Sequence, residues 1–196
     1  MVGEIRDAET AQIAVQAALT GHQVFTTVHA NNVFDVIGRF ANMGVDAYNL
    51  VSALTGVVAQ RLMRRTCTAC AEPYEPAAAL KAACGVSADG AGNTAAGGAA
   101  TPADVDGATP AQWRRGIGCT TCRGSGYSGR VAIAETLRLS DELRELMVQR
   151  APVSRIRQAA VAEGFVGLRE AALALARAGH TTLEEVKRVT PTHGRH

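Results

Sequence analysis

Two pairs of cysteines, each separated by two residues, constrain the fold of this chain more than any other feature. They occur as Cys67-Thr-Ala-Cys70 and Cys119-Thr-Thr-Cys122. Two thiolates at this spacing can bind one metal ion from a single tight turn, and two such turns provide the four soft ligands that tetrahedral Zn²⁺ prefers. The sequence therefore predicts a structural zinc site formed by Cys67, Cys70, Cys119 and Cys122.

The alternative for these cysteines is that they are buried thiols or disulfides. The first residues, Met-Val-Gly-Glu-Ile-Arg-Asp, carry acids where a signal peptide has basic and apolar residues, and no apolar run is long enough to span a bilayer. We therefore expect a cytoplasmic protein with reduced cysteines, which favours metal binding over disulfides. Cys84 stands alone and is expected to be an ordinary thiol.

The N-terminal part of the chain alternates between helical and strand patterns. Asp7 is expected to cap a first helix, and residues 24–28, rich in β-branched and aromatic side chains, indicate a short buried strand that ends at His29. Helices are predicted over residues 33–43 and over residues 50–65, the second ending in a basic run. This order predicts an α/β fold with a parallel sheet.

A change in composition divides the rest of the chain. Residues 85–111 consist mainly of Gly, Ala, Thr, Asp and Pro, which favours a flexible insertion between the two cysteine pairs. Beyond the second pair, alternating apolar residues predict a strand over residues 130–139. Further helices are predicted from Ser140, over 154–163, over 167–178 and from a capping box at 182–185, and the tail 191–196 is expected to be disordered.

Two polar side chains follow apolar segments at the predicted sheet. Glu4 lies just beyond an apolar dipeptide, and His29 lies at the end of the predicted strand. Open α/β sheets bind ligands outside the carboxyl ends of their strands, and in a nucleoside triphosphatase a carboxylate there holds Mg²⁺ or polarises the attacking water. Taken alone, a residue of either kind is more often an ordinary surface or structural residue.

Several longer motifs occur in the order found in one ATPase family. Residues 2–7, Val-Gly-Glu-Ile-Arg-Asp, resemble the Walker B segment of the secretion ATPases that power type II secretion and type IV pili, and residues 20–31 resemble their His box. Gln-Arg-Leu at 60–62 before the first cysteine pair, and Gly-Tyr-Ser-Gly-Arg at 126–130 after the second, resemble the family's tetracysteine zinc branch. Residues 179–186 are similar to the family's C-terminal end.

The resemblance implies an α/β fold that comprises a partial RecA-like parallel-sheet ATPase core, an inserted zinc-binding lobe and a C-terminal helical region. Residues 1–65 would be the later part of the core, with the Walker B segment and the His box. Residues 66–129 would be the zinc lobe with its insertion, and residues 130–190 a strand followed by the helical region.

The resemblance also implies an activity. Such an enzyme is a homo-hexamer in the cytoplasm, peripherally associated with the inner membrane, where ATP hydrolysis drives protein export by type II secretion or type IV pilus assembly. Its partners would be the inner-membrane platform and cytoplasmic-domain proteins of the machine, not nucleic acid, and its cofactors ATP with Mg²⁺ and a structural Zn²⁺. Carried over by position, Glu4 would be the Walker B acid acting on Mg²⁺ and water, and His29 would contact the γ-phosphate. Gly3 and His22 would complete the nucleotide-binding residues.

One family motif is missing from these residues. No Gly-x-x-x-x-Gly-Lys-[Ser/Thr] phosphate loop occurs in the 196 residues, and the family places this loop before Walker B. We therefore expect the chain to be the C-terminal part of a longer ATPase, from a truncated gene or a mis-called start. By itself it is expected not to hydrolyse ATP and to expose the edges of an incomplete sheet.

Two other functions compete with this interpretation. The first is a stand-alone, zinc-stabilised module that docks on other secretion proteins. The second is a zinc-ribbon nucleic-acid binder, for which the candidate contacts are Arg61, Arg64, Arg65, Arg114 and Arg115. The net charge of +2 does not favour nucleic acid, and arginines like these more often form a solvated face or subunit contacts.

Overall fold

A computed structural model of the chain describes residues 1–86 and 111–190. The predicted flexible insertion lies mainly, and the predicted disordered tail wholly, outside these residues. Within the described ranges the elements are, in chain order, α1 (Ala8–Leu19), α2 (Val33–Asn42), α3 (Ala47–Ala53), β1 (Gly56–Thr66), β2 (Ala71–Pro73), α4 (Ala78–Ala83), β3 (Arg114–Gly116), β4 (Tyr127–Arg138), α5 (Asp141–Val148), α6 (Val153–Ala162), α7 (Leu168–Arg177) and α8 (Leu183–Val189).

Helix starts follow the capping signals in the sequence. The carboxylate of Asp7 accepts a hydrogen bond from the Thr10 N–H at 2.8 Å, which confirms the predicted start of α1. The hydroxyl of Ser140 likewise accepts from the Leu143 N–H at 3.2 Å and caps α5. These side chains satisfy backbone donors that have no partner inside the helix.

The helix predicted over residues 50–65 is wrong in its second half. Helix α3 ends at Ala53, and residues 56–66 form strand β1, which is hydrogen-bonded to β4. Burial changes with every residue at its centre, since Leu62 is 51% exposed and Met63 is fully buried. The apolar residues of this segment recur about every four positions, which is typical of a helix. The segment is nevertheless a strand, because its backbone pairs with β4.

The buried strand predicted over residues 24–28 is also wrong as stated. The segment is extended but is not a regular strand, and Phe25 is 62% exposed. Two backbone hydrogen bonds join it to the first residues, from the Val2 N–H to the Phe25 carbonyl at 2.9 Å and from the Ile5 N–H to the Thr27 carbonyl at 3.0 Å. The two segments run in the same direction, as predicted for a parallel sheet, but two hydrogen bonds do not form a regular ladder.

The described residues divide into two compact units. The first unit consists of residues 1–59 and 135–165, and the second of the described residues of 60–134 and 166–196. In the first unit, Phe34 and Phe165 pack edge to face at 5.2 Å, and the buried carboxylate of Glu135 accepts the Val33 N–H at the start of α2 at 2.8 Å. The core of the second unit includes Met63, Trp113, Ile133, Ala172, Leu183 and Val186.

Among the described residues, no helix combines the length and the apolar character needed to cross a bilayer.

Candidate functional site

Glu4 and His29 lie side by side at the ends of the two extended segments of the first unit. The Glu4 Oε1 atom lies 2.7 Å from the Nε2 atom of His29. The Thr27 hydroxyl donates to the Gly3 carbonyl at 2.7 Å and so fixes one segment against the other beside the pair. The structure therefore brings together the two residues that the sequence singles out as catalytic candidates.

The second carboxylate oxygen of Glu4 is bound by Arg6. The Arg6 Nε donates to Oε2 at 2.7 Å, and this hydrogen bond lowers the pKa of Glu4 below its ordinary value. The Glu4 side chain is 21% exposed, whereas those of Arg6 and His29 are more than 70% exposed. Glu4 is thus an ionised carboxylate whose Oε1 atom is buried beside His29 and whose Oε2 atom is bound by Arg6. Carboxylate oxygens are ligands that suit Mg²⁺.

The other two predicted nucleotide-binding residues have different positions. The Nδ1 atom of His22 lies 3.2 Å from the Thr20 hydroxyl and 3.2 Å from the Ala17 carbonyl, at the end of α1. A Cβ atom built on Gly3 would meet nothing within 4 Å, so packing among the described residues does not require glycine there.

The four predicted zinc ligands meet in the second unit. The Sγ atoms of Cys67, Cys70, Cys119 and Cys122 all lie within 4.8 Å of one another. Three of the separations are 3.7 Å between Cys119 and Cys122, 3.8 Å between Cys70 and Cys122, and 3.9 Å between Cys67 and Cys119. Tetrahedral zinc with bonds of about 2.3 Å would space its sulfurs by about 3.8 Å, so the cluster fits that ion. A disulfide would need a separation of about 2 Å, and the thiols are free.

Short strands hold the two cysteine turns together. β2 follows Cys70 and pairs antiparallel with β3, which precedes Cys119, so that Glu72 lies opposite Arg115. The Ile117 N–H donates to the Cys70 carbonyl at 3.1 Å and joins the turns directly. The spacing of the cysteines is thus set by backbone pairing as well as by any metal.

The charges of the thiols also favour a bound cation. Burial opposes ionisation of Cys122, but the backbone N–H groups of Cys119 and Gly126 outweigh it and lower its pKa to about 6. Burial raises the pKa of Cys70 to about 12. Four thiols this close cannot all ionise without a positive charge among them, whereas a coordinated metal deprotonates its thiols outright.

Two glycines make a close backbone contact at the cluster. A Cβ atom at Gly116 would lie 2.1 Å from the carbonyl oxygen of Gly126, and Gly126 itself has φ of 74°. We expect Gly116→Ala to destabilise the second unit by about 2–3 kcal/mol, because the clash is with backbone. Gly38→Ala in α2, where a Cβ meets nothing within 4 Å, is the control and should gain up to ~1 kcal/mol. Denaturant unfolding measures both, and a Gly116→Ala chain as stable as wild type would contradict this packing.

Glu185 is a buried carboxylate that sequence reasoning missed. The predicted capping box places Glu185 in the first turn of α8, and the Glu185 N–H does donate to the Thr182 hydroxyl at 3.4 Å. The Glu185 side chain is fully buried, however, and accepts hydrogen bonds from Arg64 at 2.9 Å and Arg188 at 2.8 Å. Arg188 three residues later was the available sequence signal, since such pairs share a helix face.

Three of the five arginines proposed as nucleic-acid contacts bind within the second unit. Arg64 binds Glu185, Arg114 donates to the Ala71 carbonyl at 2.8 Å, and the Arg115 guanidinium lies 5.5 Å from the centre of the Tyr74 ring. Their contacts favour a structural role over a nucleic-acid interface.

Comparison with known proteins identifies relatives over nearly the whole chain. The family model described as "Type II/IV secretion system protein" matches residues 1–188. The type IV pilus assembly ATPase PilB of Thermus thermophilus is 41% identical over 186 residues, which are 95% of this chain and 19% of that protein. The type II secretion system protein HxcR of Pseudomonas aeruginosa is 40% identical over 190 residues, 97% of this chain and 33% of that protein.

A solved structure shows the same fold. The crystal structure of the pilus retraction motor PilT with bound ADP has a TM-score of 0.58 at 20% identity, and the match covers 98% of this chain and 40% of that one. The predicted fold class and family resemblance are confirmed by these matches. The chain spans a third or less of the length of the two curated relatives.

Proposed function

This chain belongs to the type II/IV secretion system protein family, and we propose that it supplies part of the ATP-hydrolysing site of a secretion or pilus-assembly ATPase. The observation that carries the proposal is the 2.7 Å contact between Glu4 and His29 at the ends of two neighbouring extended segments. The phosphate loop and the rest of the nucleotide site would be formed by residues outside this sequence.

Each residue of the pair has a role that follows from its chemistry. Glu4, kept ionised by Arg6, would orient Mg²⁺ and the attacking water, and the bound Mg²⁺ would neutralise charge on the phosphates. The His29 side chain is exposed and lies beside the Oε1 atom of Glu4. It would contact the γ-phosphate or sense its loss. Gly3 would complete the nucleotide-binding residues, and His22, held at the end of α1, would support the same His box.

Replacing Glu4 tests the catalytic role. In the complete polypeptide that the gene encodes, we expect Glu4→Gln to lower ATP hydrolysis by about 100-fold or more while nucleotide binding is retained, because a positioned acid–base group contributes about that much. Glu9→Gln, at an exposed carboxylate in the first turn of α1, is the matched control and should leave hydrolysis unchanged. Normal turnover in the Glu4→Gln enzyme would refute the role.

The four cysteines are proposed to hold one structural Zn²⁺. The sulfur separations of 3.7–3.9 Å support this assignment. So does the proximity of four thiols, which cannot all ionise without a cation among them. The zinc would contribute folding free energy to the second unit rather than take part in ATP hydrolysis.

The assembly and location are further proposals from the family. We propose a homo-hexamer at the cytoplasmic face of the inner membrane, which works with platform and cytoplasmic-domain proteins in type II secretion or type IV pilus assembly. The names of the relatives, a pilus assembly ATPase and a type II secretion protein, support both machines equally. Native mass spectrometry of the complete polypeptide with nucleotide would detect six copies, and a monomer under these conditions would refute the ring.

A second candidate function is a zinc-stabilised interaction module without ATPase activity. The observation that favours it is that the second unit has its own hydrophobic core and its own cysteine cluster. The DNA upstream of the first codon separates the two functions. A phosphate loop encoded there in the same or a neighbouring frame supports the ATPase, whereas an unrelated gene supports the module.

A further inference from the structure

Three hydrogen bonds tie the end of β1 to the segment that opens α8. The Arg64 N–H donates to Glu185 Oε1 at 2.8 Å, the Thr181 hydroxyl donates to the Arg64 carbonyl at 2.8 Å, and the Thr66 N–H donates to the His180 carbonyl at 2.9 Å. Thr66 immediately precedes Cys67. Residues 180–185 therefore hold β1 in place at the point where the chain enters the cysteine cluster.

The side chain of Arg64 extends this contact to the second cysteine turn. Its guanidinium binds Glu185 through Nε at 2.9 Å and Nη2 at 2.8 Å, and it lies 4.2 Å from the centre of the Tyr127 ring. Tyr127 follows Gly126, whose carbonyl accepts the Cys67 N–H at 2.9 Å and whose own N–H donates to Cys122 Sγ at 3.3 Å.

The Tyr127 ring is also fixed from α8. Its hydroxyl lies 2.8 Å from the Thr182 hydroxyl, at the N-cap of that helix. The Arg64 side chain is thus bound by Glu185 of α8 and stacked on Tyr127, where the chain leaves the cluster. The backbone that follows Arg64 enters the cluster at Cys67, three residues later.

We propose that Arg64, held by Glu185 of α8, is a positioning residue for the metal, so that docking of α8 and retention of the metal are coupled. This inference rests on the proposed zinc site. Arg64 would fix the segments of the two cysteine turns relative to each other, much as outer partners orient the ligands of other metal sites. Because coupling between two binding events is reciprocal, the metal should stabilise α8 as much as α8 stabilises the metal.

Arg188 provides a matched comparison. It binds the same carboxylate with two hydrogen bonds, from Nε to Oε2 at 2.8 Å and from Nη2 to Oε1 at 2.5 Å. Arg188 belongs to α8, however, and so its bonds to Glu185 stay within the helix, whereas those of Arg64 join the helix to β1. Loss of either guanidinium leaves Glu185 with the other guanidinium and with the Arg64 N–H, but only loss of the Arg64 side chain should loosen the cluster.

The test compares Arg64→Met with Arg188→Met in the zinc-loaded chain, with transfer of zinc to a chromogenic chelator as the readout. We expect zinc release to be about tenfold faster in Arg64→Met and unchanged in Arg188→Met. As a reciprocal readout, removal of zinc from the wild-type chain should speed amide hydrogen exchange in α8.

The outcomes are separable. Equal acceleration in both variants would show that general destabilisation, and not positioning, controls the metal, and it would overturn the inference, as would unchanged release in both. If Arg64→Met does not fold, Arg64→Lys and Arg188→Lys replace it as the test, because they keep the charge but lose the planar guanidinium. Zinc release is again expected to be faster in the Arg64 variant than in the Arg188 variant. A folded wild-type chain that takes up no zinc would instead refute the proposed metal site, before any variant is made.

Discussion

Replacing Cys67 by serine is expected to abolish zinc binding and to unfold the second unit. Structural zinc sites contribute apparent binding free energies of about 10 kcal/mol or more, which exceeds the total stability of most small units. Cys67 is only 1% exposed, so the loss also leaves a polar hydroxyl in a buried position. Metal analysis should find about one zinc per wild-type chain and almost none in Cys67→Ser, with loss of cooperative unfolding in the second unit.

Cys84→Ser is the matched control for this experiment. Cys84 is fully buried in the same unit, but its thiol donates to the Leu183 carbonyl at 3.6 Å and takes no part in the cluster. We expect this variant to keep its zinc and to lose only about 1–2 kcal/mol of stability. A Cys67→Ser chain that keeps both its zinc and its folded second unit would contradict the four-cysteine site.

Glu185→Gln is expected to destabilise the second unit by about 3 kcal/mol at neutral pH, because it removes the buried charged acceptor of two arginines, and a hydrogen bond to a charged group contributes about 1.5–3 kcal/mol. Burial opposes ionisation of Glu185, but hydrogen bonds from Arg188 and Arg64 outweigh it and lower its pKa to about 2. A carboxylate whose pKa is lower in the folded than in the unfolded chain stabilises the fold above the unfolded pKa of about 4.5, and this contribution is lost as the pH falls toward 2.

The measurement is denaturant unfolding at several pH values, with the zinc content determined at each pH, because acid also protonates the cysteine ligands and releases the metal. The difference in free energy of unfolding between wild type and Glu185→Gln should be largest above about pH 5 and should shrink below about pH 4. The exposed neighbour Glu184 gives the control, because Glu184→Gln should change stability by less than about 0.5 kcal/mol. A difference that does not vary with pH would show that Glu185 is not ionised in the fold.

The features that the sequence predicts correctly are carried by short-range patterns. The cysteine spacing predicts the cluster, because two cysteines separated by two residues lie on one turn, and two such turns provide the four ligands of a zinc site. The caps at Asp7 and Ser140 are equally local, because the side chain binds an N–H three residues later. The structure also places Glu4 and His29, which the longer motifs single out, in contact, and their catalytic role stays a prediction.

The features that the sequence does not predict depend on long-range contacts. Residues 56–66 have apolar residues at helical spacing, and their conformation is decided by β4, which begins about 60 residues later. One partner of Glu185, Arg64, is 121 residues away along the chain, so that contact has no local signal. The close approach of Gly116 to Gly126 likewise follows from the pairing of segments around the cluster.

The joint action of Glu4 and His29 in ATP hydrolysis is the claim on which the assignment depends, and a double-mutant cycle on the complete polypeptide tests it. The two side chains lie 2.7 Å apart, and residues that act as a unit in catalysis show strongly non-additive losses. We predict that the Glu4→Gln/His29→Ala enzyme hydrolyses ATP no more slowly than the slower single variant. Losses that multiply independently, or a Glu4→Gln enzyme with normal turnover, would contradict the claim.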